Sequence, residues 1–211
     1  AAPIAISLGM GALFLDLEHK FYVWRFYLAF KPLSPMSWGA WILNLIYPAT
    51  VLYGIAQLSD DEEAWLGQIP GVNLMMPLIK LLRRWSMDNE TFLGRANLVL
   101  GVALGGYTGV LLGSLGARAV WSSAILGPLF LVSGFSTGAA LLMLFPISDK
   151  EHHSVQRWDM LAIAVELALI ALFFIGLITG SESGREAAMM FLGGPYTATF
   201  WALVIIGGLA V

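Results

Sequence analysis

The sequence predicts an all-α protein, a polytopic bundle of transmembrane helices that forms a single domain over residues 1–211. The sequence has 58% hydrophobic and only 12% charged residues, whereas soluble domains carry about 25% charged residues. Its mean hydropathy is +0.78, and apolar windows of about 20 residues, long enough to span a bilayer, recur along it. The composition therefore indicates the lipid bilayer as a partner.

Six apolar windows are predicted to span the membrane. They comprise residues 1–17, 36–58, 91–113, 121–145, 158–180 and 196–211. The first and last windows reach the ends of the given sequence, and we expect them to be truncated spans of a longer protein. Only Pro128 falls well inside a window, while Pro35, Pro48 and Pro146 fall near window ends. No broken helix is therefore expected.

A further apolar segment, at about residues 71–86, is too short to span and is interrupted by Pro77. Lys80, Arg83 and Arg84 lie along one side of it, which predicts an amphipathic helix in the headgroup region. Lys and Arg residues are divided almost evenly between the loops of the two membrane faces. The positive-inside rule therefore gives no orientation.

Charge, cysteine and histidine exclude several kinds of site. The net charge of −3 does not indicate nucleic acid as a partner. The sequence has no cysteine, so it can neither form a disulfide nor bind an iron–sulfur cluster through thiolates. His19, His152 and His153 fall outside or at the rim of the apolar windows, so no pair on facing helices can bind haem. No metal site is predicted.

The third window repeats glycine at every fourth position, at Gly101, Gly105, Gly109 and Gly113. Such a strip lets a neighbouring helix approach closely. Tyr107 lies about 200° around the helix from Gly105, on the opposite side. An unpaired hydroxyl in hydrocarbon costs several kcal/mol, so we expect the Tyr107 hydroxyl to meet a protein acceptor, water or a polar ligand group. A tyrosine of the interfacial aromatic belt is the alternative.

Two further polar residues fall near the same membrane face. Asp16 closes the first window, and Arg25 lies in the basic and aromatic segment that follows. Tyr107 lies about 10 Å below the end of a helix that exits at this face, at a rise of 1.5 Å per residue. Asp16, Arg25 and Tyr107 are thus predicted to line one pocket. A solvated surface ion pair of Asp16 with Arg25 is the alternative.

Glu166 lies deep in the fifth window, with apolar residues on both sides. An ionisable side chain at such a depth is costly and usually faces the bundle interior or a water-filled path. We therefore consider a proton-handling role for Glu166. A structural hydrogen bond to a polar neighbour is the alternative, with four candidates: Asn44, Asn97, Ser133 and Thr137.

Two motifs resemble the NrfD/PsrC family, the quinone-interacting membrane subunits of polysulfide reductase and related respiratory complexes. The first is an Asp-Leu at a helix end, followed by a basic and aromatic connector and then S-P-M-S-W-G-x-W, Ser34 to Trp41. The second is Y-T-G-x-L-L, Tyr107 to Leu112, followed by a Trp and a helix rich in small residues. The two motifs occur in the family's order, and the resemblance spans most of the sequence.

The resemblance implies a bundle of eight or more helices in the bacterial inner membrane that contains no haem. It also implies electron exchange between a quinone, menaquinone or ubiquinone, and an iron–sulfur (ferredoxin-like) partner subunit, together with a catalytic redox subunit or a cytochrome. In the polysulfide reductase member a tyrosine of the matching helix lies at the quinone, and Tyr107 occupies that place. The Tyr107 hydroxyl would thus bind a quinone carbonyl.

The sequence departs from the family where Asp-Leu-Gly-Arg-Pro is usual, because Asp16 and Leu17 are followed here by Glu18, His19 and Lys20. The role of the family arginine is therefore assigned to Arg25 as a hypothesis. Asp16 would accept a proton from quinol, and Glu166 would extend a proton path. Two alternatives stay open: an ion- or proton-translocating subunit without a quinone site, and a passive membrane anchor.

Overall fold

A computed structural model of the protein describes residues 2–16, 20–28, 30–69, 71–114, 120–146 and 148–209. These ranges contain ten α-helices and two short 3₁₀ turns, and no strand is found in them. The helices are α1 (Ala2–Asp16), α2 (Val23–Leu28), α3 (Pro35–Ala56), α4 (Asp60–Gly67), α5 (Met76–Asp88), α6 (Glu90–Gly113), α7 (Leu126–Met143), α8 (Asp149–Thr179), α9 (Glu182–Leu192) and α10 (Thr197–Leu209). The predicted all-α class is confirmed.

Each of the six predicted windows forms a helix. Four of the described helices, α3, α6, α7 and α8, are long and apolar enough to cross a membrane. The helices of the first and last windows are shorter, with 15 residues in α1 and 13 in α10. A membrane span needs about 20 residues, so neither α1 nor α10 is long enough to span by itself.

The prediction of no broken helix is wrong, because α9 and α10 are joined by a short break and bent by 69°. Together the two would make a fifth span. The bend follows Gly193 and Gly194, where the Tyr196 backbone N–H donates to the Met190 carbonyl at 3.2 Å. A Cβ at Gly194 would lie only 2.7 Å from the Met190 Cα, so the tight turn requires glycine there.

The placement of two prolines also differs from the prediction. Pro48 lies inside α3 rather than near its end, where it removes one backbone hydrogen bond of the helix. Pro128 lies in the first turn of α7 rather than well inside a span. A helix tolerates proline in its first turn, since the N–H groups there have no partner within the helix.

α8 begins nine residues before the predicted apolar window, at Asp149. The Ser148 hydroxyl accepts a hydrogen bond from the Glu151 backbone N–H, and the Glu151 carboxylate accepts one from the Ser148 backbone N–H. This capping box starts the helix within the polar segment. The residues from Asp149 to Arg157 therefore form the first turns of a helix that extends into the apolar window.

The protein divides into two compact units, Ala1–Leu104 and Gly105–Val211. In the first unit α3 packs against α1, α2 and α5. α5 is the predicted amphipathic helix, although it begins at Met76 rather than near residue 71. Its Arg83 donates to the Leu58 carbonyl at 2.8 Å and to Asp60 at 3.0 Å, and it forms an ion pair with Glu63. The basic side of α5 is thus engaged by acidic residues of the same unit.

A polar contact inside the first unit joins α3 to α6. The Thr50 hydroxyl donates to Asn97 Oδ1 at 2.7 Å, and Asn97 Nδ2 donates to the carbonyls of Ala49 and Leu93 at 3.1 and 2.9 Å. Every polar atom of the Asn97 side chain therefore has a partner within the protein. Buried amides are stable in apolar surroundings only when they are paired in this way.

In the second unit α7 packs against α8, α8 against α9, and α9 against α10. The core contains Leu126, Phe173, Phe174, Leu177 and Ala188. The aromatic rings meet mainly edge to face, as with Phe174 and Phe200, whose centroids lie 5.6 Å apart. Edge-to-face pairs are among the favoured arrangements of aromatic rings.

The glycine repeat of α6 makes close contact at two of its four positions. A Cβ at Gly109 would lie 2.4 Å from the Gly127 Cα on α7, and a Cβ at Gly105 would lie 3.0 Å from Leu131 Cδ1. Gly101 has no such neighbour within 4 Å, and at Gly113 the nearest atom would lie at 3.8 Å. The predicted strip therefore works as a packing surface around Gly105 and Gly109.

Gly109→Ala is expected to push α6 and α7 apart and to destabilise the protein by about 2 kcal/mol, because overpacking against backbone cannot be relieved by a rotamer change. Gly106→Ala is the matched control, since nothing lies within 4 Å of its added Cβ. Thermal unfolding of the purified protein in detergent measures both changes. Equal melting temperatures for the two variants would contradict this account of the contact.

The cap of α8, which precedes the apolar window, is expected to weaken in acid. Hydrogen bonds from the Ser148 hydroxyl and backbone N–H lower the pKa of Glu151, so the ionised carboxylate stabilises the first turn. This contribution is present above the ordinary carboxyl pKa of about 4.3 and is lost as the pH falls through the lowered value. Hydrogen exchange of the amides of residues 149–152, corrected for intrinsic rates, should accelerate on acidification. Ser148→Ala should remove most of this pH dependence.

Candidate functional site around Glu166

Glu166 lies on α8 between two adjoining cavities, and its side chain is partly buried. It forms no hydrogen bond or ion pair with the residues that the structure describes. Of the four predicted partners, Asn44 and Asn97 are engaged within the first unit. Ser133 and Thr137 line a cavity with Glu166 without bonding to it. The structural hydrogen bond offered as the alternative is therefore not formed with these residues.

The first of these cavities, here called the polar cavity, has a volume of about 370 Å³. It lies between α7, α8 and α10, and the hydroxyls of Ser133, Ser136 and Thr137 line it opposite Glu166. Its full lining is Ser133, Ser136, Thr137, Ile163, Glu166, Leu167, Ile170, Phe200, Leu203, Val204 and Gly207. A carboxyl group and three hydroxyls around one space provide the partners that ordered water requires.

The second cavity, here called the aromatic cavity, has a volume of about 360 Å³. It extends towards the C-terminal end of α8 and shares five lining residues with the polar cavity, namely Ser133, Glu166, Ile170, Phe200 and Val204. Its full lining is Val120, Trp121, Leu126, Leu129, Phe130, Ser133, Glu166, Ile170, Phe173, Phe174, Phe191, Phe200 and Val204. Glu166 thus lies where the two cavities adjoin, and the aromatic cavity suits an apolar molecule.

A second carboxylate, Asp159, lies on α8 and was missed by the sequence analysis. It is only 4% exposed, and the Ser136 hydroxyl donates to its Oδ1 atom at 2.6 Å. Asp159 also lines a third cavity, of about 670 Å³, together with His152 and Gln156 near the start of α8. We call this the access cavity.

A sequence signal for Asp159 did exist. Asp159 precedes Glu166 by seven residues, so two helical turns separate the carboxylates and both lie on one face of α8. The signal was missed because Asp159 stands at the edge of the apolar window, next to Trp158, where acidic residues usually reach water. The burial that sets Asp159 apart comes from α7, which packs against this face of α8.

Tyr107 is partly buried on α6, in the second unit. Its hydroxyl forms no hydrogen bond with any described residue. Tyr107 is not among the lining residues of the polar, aromatic or access cavities. Within the described ranges the Tyr107 hydroxyl therefore has no hydrogen-bond partner, and the side chain does not line the cavities around Glu166.

Asp16 and Arg25 belong to the first unit. Asp16 is the last residue of α1, but its side chain and residues 17–19 lie outside the described residues. Arg25 lies on α2 and is exposed, with its guanidinium 5.0 Å from the ring centroid of Tyr22 and 5.4 Å from that of Trp24. The predicted pocket of Asp16, Arg25 and Tyr107 draws on both units and stays a prediction.

Metal-ligating side chains are dispersed over the described ranges. No group of three or more His, Cys, Asp or Glu residues that could bind a metal ion occurs there. His152 and His153 are exposed in the first turns of α8.

Comparison with protein families matches residues 1–211 to the family described as Polysulphide reductase, NrfD. The protein belongs to the NrfD family. The resemblance inferred from the two sequence motifs is thereby confirmed, and with it the assignment to an integral membrane family. Comparison with solved structures gave no match.

Three curated proteins are similar to this NrfD-family sequence. The Protein NrfD homolog of Haemophilus influenzae is 28% identical over 97% of the sequence, and Protein NrfD of Escherichia coli is 30% identical over 99%. The polysulfide reductase C subunit of Wolinella succinogenes is 26% identical over 100% of the sequence. The sequence spans about two thirds of the length of these relatives, covering 65%, 67% and 66% of them respectively.

Proposed function

We propose that this protein is the quinone-reactive part of an NrfD-type membrane subunit in a bacterial respiratory redox complex. The observation that carries the proposal is the Tyr107 hydroxyl, which is partly buried on a spanning helix and has no described partner. A hydroxyl in such surroundings gains most from a ligand that offers a polar atom. A quinone carbonyl provides that atom, while the quinone ring and tail occupy apolar space.

Asp16 and Arg25 are proposed to complete the quinone site. Oxidation of a quinol releases two protons and two electrons, so the site needs a proton acceptor, and Asp16 would supply it. Arg25 is permanently charged and would stabilise either the Asp16 carboxylate or the oxygen of the quinone. Both roles follow from the family resemblance and from the positions of these residues after the first apolar segment.

The electrons are proposed to pass to an iron–sulfur (ferredoxin-like) partner subunit, and from it to a catalytic redox subunit or a cytochrome. The sequence has no cysteine and therefore no thiolate to bind such a cluster itself. The similarity to the polysulfide reductase C subunit supports a complex of several subunits. The bacterial relatives support placement in the inner membrane.

Glu166 is proposed to bind and release protons that accompany the quinone reaction. It lies within the spanning helix α8 and borders a cavity lined by hydroxyls. Water in such a cavity would reduce the cost of an ionisable side chain at that depth, and ionisable residues in such places commonly mark proton paths. In this proposal Glu166 does not touch the quinone, because Tyr107 is not part of the lining of its cavities.

A second candidate function is ion or proton translocation without a quinone site. The bent pair of α9 and α10 favours it, because discontinuous helices commonly form ion sites in transporters. The two functions differ in their dependence on Tyr107. A passive anchor, the third class considered, depends on neither Tyr107 nor Glu166.

Tyr107→Phe is expected to weaken quinone binding roughly fivefold, since loss of one hydrogen bond costs about 1 kcal/mol. The electron-transfer rate of the assembled complex, measured against quinone-analogue concentration, gives the change in KM. Tyr196→Phe is the matched control, because Tyr196 is exposed in the turn before α10. Full activity of Tyr107→Phe at every quinone concentration would instead support the passive anchor.

A density map of the complete complex with a quinone or quinone-site inhibitor tests the same site directly. Density within hydrogen-bonding distance of the Tyr107 hydroxyl is expected, with an iron–sulfur cluster of a partner subunit within electron-transfer range. A lipid at Tyr107, together with ordered water at Glu166, would favour the ion-translocating function.

A further inference from the structure

Polar side chains follow one face of α8 from its N-terminal end to the middle of the apolar segment. His152, Gln156, Asp159 and Glu166 are separated by four, three and seven residues, and these intervals keep them on the same side of a helix. Asp159 and Glu166 are about 10 Å apart along the axis at 1.5 Å per residue. The two carboxylates of this row require an explanation, because both lie within the predicted window 158–180, where a polar group costs free energy in hydrocarbon.

Two cavities connect these side chains. The access cavity contains His152, Gln156 and Asp159 in its lining, and the polar cavity contains Glu166. Ile163 and Leu167 line both cavities, so the two adjoin. The polar cavity, at about 370 Å³, has room for roughly ten water molecules at about 30 Å³ each.

Ser136 contacts both the polar cavity and a residue of the access cavity. It lines the polar cavity with Glu166 and at the same time donates to Asp159 Oδ1 at 2.6 Å. α7 carries no ionisable residue, so across this helix pair Asp159 meets hydroxyl groups and no opposite charge. A carboxyl group held by one hydroxyl and bordered by space for water is suited to take up and pass on protons.

The path is polar on one side of Glu166 only. On the other side the aromatic cavity extends towards the C-terminal end of α8, where Phe173 and Phe174 are buried. Apart from Glu166, its described lining contains no ionisable side chain, and Ser133 is its one hydroxyl. Space lined in this way stays dry and interrupts a row of hydrogen-bonded water.

We infer that α7 and α8 form a one-sided proton half-channel, in which Asp159, positioned by Ser136, passes protons between water at the N-terminal end of α8 and Glu166. A proton from water in the access cavity binds the Asp159 carboxylate. The resulting acid releases a proton to water of the access cavity where it adjoins the polar cavity at Ile163 and Leu167, and water of the polar cavity then passes a proton to Glu166. No electron moves in these steps, and each proton bound at one group leaves another. The quinone reaction supplies the driving force, so this use of the half-channel rests on the proposed function.

Access of water to the half-channel can be tested without quinone, by the reactivity of introduced cysteines. The sequence has no cysteine, so the introduced thiols are unique in it. Ile163→Cys and Gln156→Cys in the assembled complex should react with a charged, water-soluble methanethiosulfonate reagent, detected by mass spectrometry of this subunit. Val165→Cys, at the same depth outside the cavity linings, and Leu129→Cys, in the aromatic cavity, should react at least a hundredfold more slowly. Equal rates at Ile163 and Val165 would overturn the half-channel.

Proton transfer through the half-channel is tested in proteoliposomes that contain the complete complex, by recording proton uptake and quinone turnover together. Asp159→Asn keeps an acceptor for Ser136 and should reduce proton uptake at least fivefold, and Ser136→Ala should reduce it less. Asp61→Asn, an exposed aspartate on α4, is the control and should behave like the unaltered complex. Unchanged proton uptake in an assembled Asp159→Asn complex would overturn the role of Asp159.

The two tests separate the failure of this inference from the failure of the proposed function. If the unaltered complex does not react with any quinone, the proposed function is wrong, while the thiol reactivity at Ile163 still decides whether the half-channel exists. If quinone turnover is normal and Ile163→Cys does not react, the half-channel is wrong and the quinone site stands.

Discussion

The low polarity of the bilayer is the constraint on which this structure depends. In hydrocarbon every backbone N–H and carbonyl group needs a partner within the protein, so the spanning segments are helices that satisfy their own backbone. Polarity inside the membrane can then come only from side chains, and each polar side chain must be paired, hydrated or bound to a ligand. This requirement makes it possible to distinguish structural from functional polar residues by their partners.

Asn97 and Glu166 show the distinction. Asn97 has a protein partner for its carbonyl oxygen and for its amide nitrogen, so it is explained by the hydrogen bonds that join α3 to α6. Glu166 has no partner among the described residues and borders two cavities. Asp159 shares a property with each of them. Like Asn97 it has a protein partner, since it is buried and bonded to Ser136, and like Glu166 it lines a cavity, the access cavity. Glu166 and Asp159, whose partners are incomplete, are both used in the proposals.

The spanning helices could be predicted because hydropathy reports the one property that a span requires. The helix ends were harder, since they depend on local hydrogen bonds: the capping box of Ser148 and Glu151 starts α8 well before the apolar window. The bend between α9 and α10 was missed because α9 (Glu182–Leu192) falls between the predicted windows 158–180 and 196–211, where no helix was expected. The position of Pro48 was misjudged because α3 continues through it.

The residues of the candidate sites also differ in whether the sequence alone predicts them. Tyr107 and Glu166 could be selected from the sequence because each interrupts an apolar or glycine-rich run with a polar group. Asp159 could not be selected by that rule, since its burial comes from α7 and its bond from Ser136, residues that lie more than twenty positions away. The spacing of seven residues from Glu166 was visible within the predicted window 158–180, but it becomes informative only once α7 is known to pack against this face of α8. A polar row on α8 is therefore found only when the spacing of polar residues is examined over the whole helix, because the apolar window 158–180 leaves out His152 and Gln156.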